Sequence, residues 1–137
     1  VEVGKAMIYI AGPETEPESK VRAYLDKVFD YALTKNIEIA TFSRPGTCEY
    51  VADTCKNKKI PYSVFRIKNM PYLANHDISE VFVSGYLFDI LKELVDSNDI
   101  IVCLWDGSDT FPLLLSGAAG VKNAKTRIVK IDELKEE

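Results

Sequence analysis

The chain has 137 residues, which suits one domain with one core. Its composition, 47% hydrophobic and 28% charged, is that of an ordinary globular protein. A net charge of −4 argues against an extended nucleic-acid groove, which would need a basic surface, but leaves room for a local basic pocket around one anionic ligand.

Val1 precedes Met7, so the native start either lies upstream or is Met7; no secretory signal is visible. Met7-Ile8-Tyr9-Ile10 is a short apolar run that stops at Ala11-Gly12-Pro13, which predicts a buried strand and a sharp loop. Pro17 suits a first helical turn. Val21, Leu25, Val28, Phe29, Ala32 and Leu33 then recur at helical spacing, and Lys35-Asn36 closes the element. A second strand is expected at 37–42, followed by the turn Ser43-Arg44-Pro45-Gly46-Thr47 and a short helix at 49–58 with Val51 and Cys55 inward. Pro61 breaks the chain before a third strand at 62–65. Residues 69–85 have no clear period and predict an irregular loop with a small extra element at most. Leu87, Ile90, Leu91, Leu94 and Val95 define another helical face, closed by Asp96-Ser97-Asn98. The unbroken apolar run at 100–105 predicts a central parallel strand buried on both sides. A polar loop follows at 106–110, then a small-residue helix at 112–121 and a last strand at 127–131. The charged tail, 132–137, is expected to fray.

This alternation predicts a single Rossmann-like α/β domain over 1–137, with about five parallel strands and helices on both faces. No run of about 18 apolar residues is present, so no membrane span is expected. Cys48, Cys55 and Cys103 are odd in number and form no CxxC pair, which predicts free thiols, no metal site and a reducing, cytoplasmic setting.

In an open parallel sheet, ligands bind beyond the carboxyl ends of the strands, where helix N-termini favour anions. Three loops should meet there: Ala11-Gly12-Pro13-Glu14, Ser43-Arg44-Pro45-Gly46-Thr47, and Asp106-Gly107-Ser108-Asp109-Thr110. Arg44 is either a phosphate or carboxylate partner or a solvated loop cation. On the first reading, Arg44→Ala should weaken anion binding roughly ten- to a hundredfold with little change in stability. Gly46 would permit close backbone approach, and Gly107→Val would fill space beside the ligand. Arg66 follows the third strand toward the same edge. Asp106 either accepts from a ribose hydroxyl or caps its own turn. Trp105 either stacks on a base or belongs to the core; Tyr86 and Phe88 either cover a ligand or pack. His76, the sole histidine, reads as a surface residue rather than a catalytic one. No GxSxG, GxxxxGK[ST] or GxGxxG motif is present, so no catalytic residue and no cofactor is expected.

Ile8-Tyr9-Ile10-Ala11-Gly12, Gly46 with the helix after it, Ile60-Pro61, Arg66 with Asn69-Met70, and Trp105-Asp106-Gly107-Ser108 with Thr110 together resemble the SLOG superfamily of Rossmann-like nucleotide-binding domains. The opening Ile8-Tyr9-Ile10-Ala11-Gly12-Pro13, the run Asn98-Asp99-Ile100-Ile101-Val102, Asp106-Gly107, Gly117 and Ala119 are similar to the nucleoside 2-deoxyribosyltransferase-like family. The second resemblance implies a nucleophilic glutamate in the helix after the last loop, where this chain has Leu115, and a Gly-Thr pair where it has Phe111-Pro112. Cys48 stands where the SLOG pattern carries an aspartate, and Asp109-Thr110 replaces its final Gly-Thr.

The expectation is therefore a non-catalytic module that senses or sequesters a nucleotide or nucleotide-derived small molecule. The expected ligand contacts are Gly12, Pro13, Glu14, Ser43, Arg44, Gly46, Arg66, Asp106, Gly107, Ser108 and Thr110. The alternative is an N-glycosidase or deoxyribosyltransferase using Glu14, Glu49 or Asp106 as its carboxylate. A third reading is an interaction protein that kept the fold and lost the pocket. A small phage or viral accessory protein would suit the first or the third, and the resemblance implies homodimers.

Overall fold

A computed structural model of the chain describes residues 5–135. Six strands form one sheet, and every pairing in it is parallel. In chain order they are β1 (Met7–Ala11), β2 (Glu38–Phe42), β3 (Tyr62–Ile67), β4 (Glu80–Phe82), β5 (Ile100–Trp105) and β6 (Lys125–Lys130). Their spatial order is β4-β3-β2-β1-β5-β6. The chain winds outward from β1 in one direction, then returns to pair β5 on the other side of β1. The topological switch point of the sheet thus lies between β1 and β5.

Strand alternation divides the core. Ile8 and Ile10 of β1 join a cluster beneath α1 (Ser19–Lys35) and α2 (Thr47–Lys58), which contribute Val21, Leu25, Phe29, Val51 and Cys55. Tyr9 and Ala11 face the opposite cluster beneath α3 (Leu87–Leu94) and α4 (Thr110–Val121), with Leu91, Leu115, Ala118 and Ala119. Helices therefore cover both faces, as the sequence predicts. Each fully buried Leu, Ile or Phe contributes about 1.5–3 kcal/mol. Asn36 and Lys59 end α1 and α2 in the left-handed region, at φ 55° and 58°.

Several local expectations need correction. β4 is a sixth strand in the region without a period; at three residues it is too short to show alternation. Pro17 lies outside α1, whose N-cap is Glu18. Leu33 is exposed, because the buried stripe of α1 ends at Ala32. The tail does not simply fray: Ile131–Glu133 forms a 3₁₀ turn, and Leu134 packs against the α1–α2 cluster. Residues 136 and 137 lie outside the described residues.

Successive parallel strands normally need a helical crossover. Between β3 and β4 the crossover is an irregular segment, 68–79, pinned to α2 and β3 by side chains. Leu73 packs on Ala52 and Val64. The Lys56 ammonium donates to the Asn75 carbonyl at 2.8 Å. The His76 side chain, only 1% exposed, sits with Nε2 2.6 Å from Asp53 Oδ1 and Nδ1 2.7 Å from the Tyr62 hydroxyl. His76 is thus a buried anchor, correcting its expected place on the surface. Among the described residues no helix is long and apolar enough to cross a membrane.

Candidate functional site

The three expected loops do converge at the carboxyl edge, and Arg44 ties them together. It is the second residue after β2, so its side chain starts at the sheet edge. Nη1 donates to the Gly12 carbonyl at 3.0 Å, and Nη2 donates to Glu14 Oε1 at 3.2 Å and Asp109 Oδ2 at 2.5 Å. Its guanidinium carbon lies 4.6 Å from the centre of the Phe111 ring. Burial is the largest single influence on the Arg44 pKa and would lower it, but the hydrogen bonds to Asp109 and Glu14 and the nearby negative charge together outweigh it, and the net shift is upward. The residue is 5% exposed, so it is neither a solvated cation nor an unengaged phosphate clamp. The expectation that its removal leaves stability unchanged is corrected by this burial.

The glycines near Arg44 serve chain packing. A Cβ on Gly46, at φ 77°, would come within 2.3 Å of the Glu14 carbonyl carbon. A Cβ on Gly12 would come within 2.7 Å of Thr47 Cγ2. The first loop therefore lies directly on the start of α2, and the Pro13 carbonyl accepts from the Thr47 N–H at 3.0 Å. Part of that helix N-terminus is already satisfied by protein.

Asp106 adopts the second of its two expected roles. Its Oδ1 accepts from the Ser108 N–H at 2.9 Å, the Ser108 hydroxyl at 3.1 Å and the Asp109 N–H at 3.0 Å. These bonds, led by the Asp109 and Ser108 amides, hold its carboxyl below the usual range. Asp109 in turn caps α4, accepting from the Phe111 N–H through Oδ1 at 3.1 Å while Oδ2 holds Arg44. Gly107, at φ 96°, has no atom within 4 Å of where a Cβ would sit. A side chain there would meet no protein atom, but it would strain the backbone.

A cleft of about 410 Å³ opens beside the Arg44 clamp, lined by Glu14, Arg44, Lys68, Asn69, Met70, Pro71, Asp109 and Phe111. Of the eleven expected contacts, only Glu14 and Arg44 line it. Ser43 is fully buried, its hydroxyl donating to the Pro71 carbonyl and its N–H to the Phe65 carbonyl. Arg66 lies over the Tyr72 ring at 4.1 Å. Pro13 and Asp106 line a separate crevice of about 70 Å³ toward α1. Thr110, at the start of α4, is exposed. Trp105 is half-buried, and its indole N–H is buried without a partner among the described residues. Tyr86 is 80% exposed, and neither it nor Phe88 lines the cleft.

The segment 68–71 forms a wall that no sequence period marks, although Asn69-Met70 belongs to the SLOG resemblance. Asp109 could have been found as an N-cap, since Thr110-Phe111-Pro112 opens a helix behind it. A second opening of about 320 Å³, between α1 and the sheet, is walled mainly by Ile8, Tyr24, Val28, Tyr31, Ile100 and Val102. Lys27 and Arg127 complete its wall, and it lies away from the carboxyl edge. Among the described residues, no group of three or more His, Cys, Asp or Glu side chains could hold a metal ion.

The chain matches no family model, no curated protein and no solved structure.

Proposed function

We propose that the chain binds a nucleotide-derived small molecule in the cleft beside Arg44, without turning it over. The observation that carries this reading is the cleft's position and wall chemistry. It opens at the carboxyl edge of a parallel sheet, beside the switch point, where such sheets bind ligands. Met70 offers apolar surface to a base, Asn69 offers both a donor and an acceptor, and Lys68 offers a cation. The Asp109 carboxylate can accept from a sugar hydroxyl. The volume falls within the range of small-molecule sites.

Leu115 supports the non-catalytic reading. It occupies the position where the transferase-like resemblance implies a nucleophilic glutamate, and it is fully buried among the α3–α4 core residues. The three free thiols support a reducing, cytoplasmic setting.

The test is native mass spectrometry of gently purified protein, followed by a thermal-shift screen of nucleosides and nucleotides. A ligand recovered intact, whose affinity falls about three- to tenfold in Asn69→Leu with an unchanged melting curve, supports the reading. Unaltered affinity in that variant places the ligand elsewhere. Multiple-turnover release of free base, lost on mutation of Glu14, would instead establish the enzyme.

A further inference from the structure

We propose that Glu14 occupies the anion position of the cleft in the empty protein, and that the phosphate of a singly phosphorylated nucleoside displaces it from Arg44. This rests on the reading of the cleft as the binding site. The two carboxylates on the Arg44 guanidinium are not equivalent. Asp109 is 21% exposed in its side chain and is fixed a second time by the Phe111 N–H. Glu14 is 59% exposed, and 3.2 Å separates its nearer oxygen from the shared nitrogen Nη2. An exposed carboxylate of this kind gains little from the pair and readily returns to water. Asp109 would have to give up a helix cap as well.

Charge balance favours the exchange. With Glu14 in place, the Glu14 and Asp109 carboxylates balance Arg44 and Lys68, and the cleft has no net charge to offer an anion. Lys68 makes no ion pair among the described residues, and it lines the same cleft. Once Glu14 swings outward, Arg44 and Lys68 exceed the remaining Asp109 by one positive charge. That suits one phosphate group better than a polyphosphate chain. The Glu14 backbone need not move, because Gly46 lets the chain lie against α2 and the Pro13 carbonyl remains bonded to Thr47.

Isothermal titration tests the exchange, using the four common ribonucleoside 5′-monophosphates and the matching nucleosides as probes. The proteins are the unaltered chain, Glu14→Gln, and Glu16→Gln as a control for charge on the same loop. Melting curves check that each variant is folded. The expected result is a gain of about two- to fivefold in monophosphate affinity for Glu14→Gln, with nucleoside affinity unchanged and no gain in Glu16→Gln. The gain should shrink as salt rises. Equal monophosphate affinity in the unaltered and Glu14→Gln proteins overturns the exchange but leaves the cleft as a binding site. An equal gain in Glu16→Gln also overturns it, because general loop charge would then explain the effect. No binding of any probe to any of the three proteins overturns both proposals.

Discussion

Arg44 holds three loops with one guanidinium, and its loss should be felt in folding before it is felt in binding. Arg44→Ala strands the Asp109 carboxylate and leaves the Gly12 carbonyl unpaired. A loss of about 2–4 kcal/mol is expected, measured by urea unfolding. Arg44→Lys should recover only part of it, since an ammonium cannot reach three acceptors with a planar fork. The glycines separate in the same experiment. Gly46→Ala should cost about 3 kcal/mol or more, because a Cβ would strike Glu14 backbone. Gly107→Ala should cost about 1 kcal/mol, from positive φ alone. Asp106 adds a pH dependence. Its folded pKa is lowered, so its contribution is present above the unfolded value and disappears as pH falls through the folded value. Asp106→Asn should therefore lose less stability than the unaltered chain between pH 6 and pH 3, and an equal loss in both would refute this.

The β3–β4 crossover shows what an element can be without regular structure. Its hold on the sheet depends on Leu73, His76 and Ser79, and the same segment supplies 68–71 to the cleft. His76→Ala removes the bridge between Asp53 and Tyr62, and should cost about 1–3 kcal/mol while raising hydrogen exchange across 68–79 more than elsewhere. Uniform exchange would show that the bridge is not what pins the segment. Lys59, left-handed at the end of α2, predicts the opposite sign: Lys59→Gly should stabilise by about 0.5–1 kcal/mol, read as a higher melting temperature. The regular elements were legible because their apolar residues recur with period: all five expected strands and all four helices are present, with ends shifted by a few residues. The crossover was not legible, because Leu73 and His76 are buried by contacts with α2 and β3, far away in sequence. The site shared this fate. Convergence of the loops followed from topology, whereas Arg44's engagement by Glu14 and Asp109 depends on residues 30 and 65 positions away.

At the scale of the whole molecule, burial governs the chemistry of the thiols. Cys55 and Cys103 are pushed up to about 12 by burial, so neither offers a thiolate at neutral pH. Three thiols should react with a colorimetric disulfide reagent in denaturant without reductant, and none promptly in the folded protein. A count of one in denaturant would reveal a disulfide. The central place of β1 has a further consequence, in the order of synthesis. β1 leaves the ribosome before the other five strands, yet one of its two neighbours, β5, comes some ninety residues later, as does Asp99, which accepts from the Met7 N–H at 2.8 Å. A nascent chain ending near residue 95 can pair β1 with β2 and β3, but it bares the other side of β1 as an unpaired apolar edge. Such an edge is a template for other chains, so a fragment of this length should aggregate where the full chain does not. A soluble, monomeric fragment would show that the half-built sheet protects that edge by some other contact.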